Sequence, residues 1–139
     1  MRVTVVGLGT IGHSLAQMFA MGGCAVRCYD PAPAARSSCR SRISANLDGM
    51  MTAELMTSGE AESALARVAV FDSLVSAVRG AALVCEAVLE ELALKQALFA
   101  EIESLAEPSA LLTSTSSSFP IDAIAARMSS TSRCLVLHP

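Results

Sequence analysis

Apolar and polar positions run along this chain in blocks, and the period of the blocks changes. Arg2–Val6 is a β-rich run that stops at Gly7. From Thr10 to Met21 the apolar residues Ile11, Leu15, Met18 and Phe19 recur at helical spacing, and Gly22 and Gly23 end the stretch. Cys24–Tyr29 reads as a second strand, closed by Asp30 and Pro31. Residues 34–66 are helix-prone with no strand signal. Ile43, Leu47, Met50 and Met51 mark their apolar face, and Gly59 is the expected break between two helices. Val68–Phe71, Ala82–Glu86, Ala110–Thr113 and Arg133–Leu137 read as further strands. Between them lie Ser73–Val78, expected to be capped by Asp72, then Leu92–Leu105 and Ile121–Met128. In the second of these helices Leu94, Leu98, Ile102 and Leu105 align. Strands alternating with helices predict a parallel, doubly wound α/β sheet with right-handed crossovers. No repeat or linker divides residues 1–139, so one domain is expected.

In such sheets ligands lie beyond the carboxyl ends of the strands. Here those ends carry Gly7, Asp30, Glu86, Thr113 and His138. The first end opens a loop with Gly7, Gly9 and Gly12, between a strand and a helix. Gly7 permits a tight turn, Gly9 lets backbone approach a pyrophosphate, and Gly12 lets the helix pack on the strand. The helix start adds free N–H groups and a partial positive charge. This order predicts a Rossmann-type dinucleotide site. Asp30, at the second strand's end, suits the hydroxyls of an adenosine ribose and would repel a 2′-phosphate, which favours NAD over NADP. As an alternative it is a turn-forming Asp before Pro31. Arg36, Arg40 and Arg42 are read as a solvated helix face, with phosphate binding as the alternative.

Bulk composition narrows the partners. The 139 residues are 53% hydrophobic and 17% charged, with net charge −3, which allows a packed core and disfavours a nucleic-acid partner. No apolar run of roughly 18 residues suggests a membrane span. Cys24, Cys28, Cys39, Cys85 and Cys134 form no CxxC pair and no zinc pattern; they are expected as free thiols, with Cys24 and Cys28 buried, in a reducing cytoplasm. Mean hydropathy is +0.51, from which we expect apolar surface that meets a part of the protein outside this chain.

Other residues carry chemistry by position. Glu90 and Lys95 flank a helix start; by composition they are a helix-start acid and a surface lysine. Residues 113–118 are all Ser or Thr and form a hydroxyl-rich lip at a strand end. His13 is expected as an exposed first-turn residue. Met18, Met21, Met50, Met51 and Met56 are expected in the core. His138 follows a strand that delivers it to the active edge, where a neutral imidazole takes a hydroxyl proton while hydride leaves the same carbon.

The stretch Cys85–Phe99, with Glu90 and Lys95, resembles the segment after the fourth strand in the 3-hydroxyacyl-CoA dehydrogenase superfamily. So does Ser114–Ser118 followed by His138. Thr115 stands where the acyl-CoA enzymes usually carry Asn, and Pro139 follows His138 directly. Both departures resemble the branch containing L-gulonate 3-dehydrogenase, lambda-crystallin and L-carnitine dehydrogenase, which act on free hydroxy acids. The resemblance implies that Gly7, Leu8, Gly9, Thr10, Ile11 and Gly12 wrap the pyrophosphate of NAD and that Asp30 holds the ribose. It implies that Glu90 and Lys95 contact the cofactor, that Ser117 bonds substrate and nicotinamide side together, and that His138 is the general base. Residues 34–66 would help cover the substrate, a 3-hydroxyacyl-CoA or a small 3-hydroxy acid. The family's C-terminal helical domain and homodimer interface lie outside this chain, which is expected to turn over poorly alone. The alternative is a non-catalytic NAD-binding or structural, crystallin-like module.

Overall fold

The computed structural model describes residues 1–139. Six parallel strands form one sheet: β1 (Arg2–Val6), β2 (Ala25–Tyr29), β3 (Val68–Val70), β4 (Leu83–Glu86), β5 (Leu111–Ser114) and β6 (Cys134–Val136). Their order across the sheet is β3-β2-β1-β4-β5-β6. The order reverses between β1 and β4, and that crevice is where a doubly wound sheet takes a dinucleotide. The expected fold class is therefore the observed one.

Helices cover both faces. On one face lie α1 (Thr10–Met21), α2 (Pro33–Thr52) and α3 (Ser58–Ala66). Leu15, Ala16, Ala20, Ile43 and Leu47 pack there on Val3, Val5 and Val26. On the other lie α4 (Leu74–Val78), α5 (Leu92–Leu105) and α6 (Ile121–Ile124), the last continuing into a 3₁₀ turn at Ala125–Arg127. Phe99, Ile102 and Ile124 pack there on Val6, Val84 and Leu112. Central strands buried from both sides explain the near-continuous apolar runs of β1 and β4.

Several local expectations need correction. The break between α2 and α3 falls at residues 53–57, not at Gly59, which lies in the first turn of α3. Glu54 turns the chain with φ 57°, and Thr57 with Glu60 builds a reciprocal capping box that restarts the helix. Ser73, not Asp72, caps α4, accepting from the Ser76 amide. Met18 and Met21 are exposed on the outer face of α1, while Met51 and Met56 pack against the core edge. In α5 the inward face is Lys95, Phe99 and Ile102, and Leu94 lies toward solvent. Cys24 precedes β2 and is only half-buried, whereas Cys28, Cys39 and Cys85 are buried free thiols. Burial pushes the Cys85 thiol up to about 11, so it stays protonated at neutral pH.

Candidate functional site

The glycine loop is shaped by backbone approach on two sides. Gly7 has φ +93°, and a Cβ on it would stand 2.6 Å from the Ala87 carbonyl. A Cβ on Gly12 would stand 1.7 Å from the Gly7 oxygen, so the start of α1 seats on the loop itself. Around Gly9 the requirement is reversed: nothing lies within 4 Å of the Cβ position, and the backbone faces open space. Thr10, Ile11 and Gly12 have no intrahelical acceptor for their amides, and no acidic residue occupies the first turn. Open space above an uncompensated helix N-terminus fits a pyrophosphate. Leu8 has a different place from its neighbours. Its side chain is buried, and its amide donates to Asp30 Oδ2 at 2.7 Å.

Asp30 therefore ties two segments together. Its Oδ1 accepts from the Ala32 amide at 2.8 Å, the turn role expected of an Asp before Pro31. The ribose role and the turn role are compatible, since each carboxylate oxygen has a second lone pair. Beside Asp30 opens a cleft of about 520 Å³, lined among others by Gly9, Pro31, Leu74, Val88 and Leu98. It is mostly apolar, as an adenine ring requires. The three arginines are not a free phosphate clamp, and of the solvated face expected only Arg40 is exposed, Arg36 and Arg42 being half-buried. Arg36 donates to the Asp30 and Pro31 carbonyls, Arg40 to those of Leu65 and Val68, and Arg42 to those of Leu8 and Ala35. They pin strand ends and the glycine loop. His13 is half-buried rather than exposed, with Nδ1 2.7 Å from the Gly9 carbonyl and 3.2 Å from Arg42.

Across the crevice the site is built from charge. Lys95 is fully buried, not a surface lysine. Its Nζ donates to Glu86 Oε1 at 2.7 Å, to Glu90 Oε2 at 3.1 Å and to the Val88 carbonyl at 3.5 Å. All three ammonium hydrogens thus have acceptors. Glu86, also buried, accepts from the Val88 amide at 2.7 Å and from Ser114 Oγ at 2.6 Å. Glu90 has a side chain 40% exposed and accepts from Ser116 Oγ and the Ser118 amide. The Ser116 hydroxyl, then Lys95, hold the Glu90 carboxyl below the usual carboxylate range. Burying an ammonium is costly unless it is fully paired, and here every polar atom of the cluster is satisfied.

This cluster supports the lip. Ser116 is buried beneath it and Ser117 is exposed on its crest. The Thr115 carbonyl is 2.9 Å from His138 Nδ1. A carbonyl only accepts, so Nδ1 carries the hydrogen and Nε2 is left with its lone pair free. The carboxyl ends of β4, β5 and β6 thus bring Glu90, Lys95, the lip and His138 to one edge of the sheet, while Gly7–Gly12 and Asp30 lie at the other side of the crevice. Glu86 was placed only as a strand end, and Ser114 and Ser116 only as part of the lip; their pairing with Lys95 and Glu90 was not expected. The available signal was a strand ending in an acid, Glu86, near the chain's single lysine.

Known proteins share this fold. Residues 2–139 match the family model for the 3-hydroxyacyl-CoA dehydrogenase NAD binding domain. The chain is 36% identical to a 3-hydroxybutyryl-CoA dehydrogenase of Mycobacterium tuberculosis, covering 99% of the chain and 48% of that protein. It is 30% identical to rabbit (Oryctolagus cuniculus) lambda-crystallin, covering 99% of the chain and 43% of that protein. The solved structure of M. tuberculosis FadB2 superposes with a TM-score of 0.94 at 36% identity, covering 99% of this chain and 48% of that one. The chain spans about half the length of the curated relatives it matches. Relatives named as dehydrogenases do not favour the structural-module alternative. A family model spanning essentially every residue, on a sheet of the order described, places the chain in the family of 3-hydroxyacyl-CoA dehydrogenase NAD-binding domains, with NAD as cofactor.

Proposed function

We propose that residues 1–139 are the NAD-binding unit of an enzyme that oxidises the 3-hydroxyl of a 3-hydroxyacyl-CoA or a small 3-hydroxy acid, with His138 as its base. The observation that carries this reading is the Nδ1–Thr115 carbonyl contact, which leaves Nε2 aimed away from its own backbone partner. Bound NAD supplies the hydride acceptor. Nε2 of His138 accepts the hydroxyl proton as the C–H bond breaks, and Ser117 on the crest orients the substrate oxygen. Gly9, Thr10, Ile11 and Gly12 hold the pyrophosphate through backbone, Leu8 anchors the loop, and Asp30 accepts from the ribose. Glu90 faces the nicotinamide half; Lys95, expected to contact the cofactor, is buried behind it and acts through Glu90 instead. Residues 34–66, whose Asn46 and Met50 line a groove of about 550 Å³ against α1, are the segment we assign to covering substrate. The sequence branch favours a free hydroxy acid; the dehydrogenase relatives favour an acyl-CoA.

No helix is long and apolar enough to cross a membrane. Five free thiols support a reducing cytoplasmic setting, and the family resemblance supports a homodimer. The test is His138→Ala in the full-length protein, assayed on acetoacetyl-CoA, L-gulonate and carnitine. NADH binding should persist while turnover falls about 10²–10⁴-fold. Unchanged turnover would remove His138 from the mechanism, and no turnover of any panel member by the parent would remove the substrate class.

A further inference from the structure

The Glu86–Lys95–Glu90 cluster has more negative charge than its internal pairing uses. Two carboxylates share one ammonium, which leaves one net negative charge. Two of the three groups are sealed from water, and the third, Glu90, presents the exposed edge. The cluster stands at the carboxyl ends of β4 and β5. With the pyrophosphate on Gly9–Gly12 and the adenosine in the cleft beside Asp30, the nicotinamide half of a dinucleotide falls on the β4–β5 side of the crevice.

The oxidised nicotinamide ring carries a positive charge and the reduced ring is neutral. A fixed negative charge next to the ring, in a partly dry setting, therefore acts on one redox form and not the other. We propose that Glu86, by drawing on Lys95, is a positioning residue that leaves the Glu90 charge uncompensated toward the ring, and that the net negative cluster shifts the site's relative affinity toward the oxidised nucleotide. This rests on the NAD reading above. The physical division of labour is clear from the contacts. Without Glu86, Lys95 would have Glu90 as its one charged partner, and the cluster would become neutral. With Glu86 in place, Lys95 is shared, and Glu90 retains uncompensated charge. Glu86 also fixes the lip from below through Ser114.

The readout is a ratio, because a purely structural defect weakens both nucleotides together. Dissociation constants for NAD⁺ and NADH would be measured on the full chain by calorimetry and by NADH fluorescence, for the parent, Glu86→Gln, Glu90→Gln and Glu91→Gln. Gln at position 86 keeps the shape and removes the charge; with its oxygen toward the Val88 amide and Lys95, its NH2 donates to Ser114 Oγ, so that one bond reverses direction. In Glu86→Gln the NAD⁺/NADH ratio of dissociation constants should rise roughly three- to tenfold. Glu90→Gln, which is partly exposed and least threatening to folding, should shift it in the same direction. Glu91→Gln, an exposed neighbour with no ion-pair partner, should leave it within about twofold. An unchanged ratio in both Glu86→Gln and Glu90→Gln overturns the proposal, as does an equal shift in Glu91→Gln. Binding of neither nucleotide by the parent would instead overturn the NAD reading beneath it.

Discussion

The two sides of the crevice are built by opposite means. On the β1–β2 side the site is made by leaving side chains out. Gly7 and Gly12 admit backbone where any Cβ would collide, and Gly9 leaves a space open for a ligand. On the β4–β5 side it is made by burying charged side chains, Glu86 and Lys95, and closing every hydrogen bond around them. The first design is local, spending a handful of consecutive residues. The second gathers residues from a β4 end, a helix and a β5 loop. Glycine loops recognise an anion by backbone and dipole, which varies little with sequence. Buried charge sets a field, which can be tuned one group at a time.

Substitutions on each side should therefore fail differently. The largest effect is expected from Gly12→Ala, because its Cβ would stand inside the Gly7 carbonyl, with the loop fixed on both sides. NAD binding measured by calorimetry should disappear while the β4–β5 cluster stays intact in a structure of the variant. Retained parental affinity would show that the loop can relax and that the glycine requirement is weaker than the geometry indicates. Next comes Lys95→Ala, which strands a buried Glu86 carboxylate and opens a cavity. A loss of about 3–5 kcal/mol of stability is expected by urea denaturation, since removing one partner of a buried pair leaves the other uncompensated. A loss under about 1 kcal/mol would mean that the cluster is wetter than its burial implies. The smallest is Asp30→Ala. It removes two accepted amide hydrogen bonds, at the Leu8 and Ala32 amides, so NAD affinity should fall about tenfold. Its preference over NADP should shrink as well, and a titration with each nucleotide separates the two effects. A variant that loses discrimination without losing affinity would make Asp30 a reader only, not a strut for the loop.

The same contrast governs what could be read from the residues in order. The fold was legible because short apolar runs such as β1 and β4 alternate with longer helical stretches such as α1 and α5, and the glycine loop was legible because its residues are adjacent. Helix boundaries fared less well where caps decide. Gly59 drew attention as a breaker, but Thr57 and Glu60 form a capping box two residues earlier, and the tetrad Thr57–Glu60 was there to be read. Lys95 was read as surface because helical periodicity assigns a lysine among leucines to the wet face. Its burial depends on Glu86, nine positions back on a strand, a partner that the periodicity of α5 by itself does not reveal. The exposed residues Met18 and Ile11 show the converse failure: apolar periodicity does not tell whether a face has a neighbour. Arg36, Arg40 and Arg42 looked like a solvated stripe because their acceptors are carbonyls after β2, in α3 and in the glycine loop, which only the folded chain assembles.

The burial of Lys95 also has a practical side. It is the only lysine of the chain, and its side chain has no exposed surface. An amine-directed acylating reagent thus finds no lysine on the folded surface, and any modification of that side chain must wait for the β4–β5 side to open. The rate of acylation at Lys95, followed by mass spectrometry, is then a clock for that opening. Because the residue is a natural single-site probe, the breathing of one half of the cleft can be timed without introducing a label.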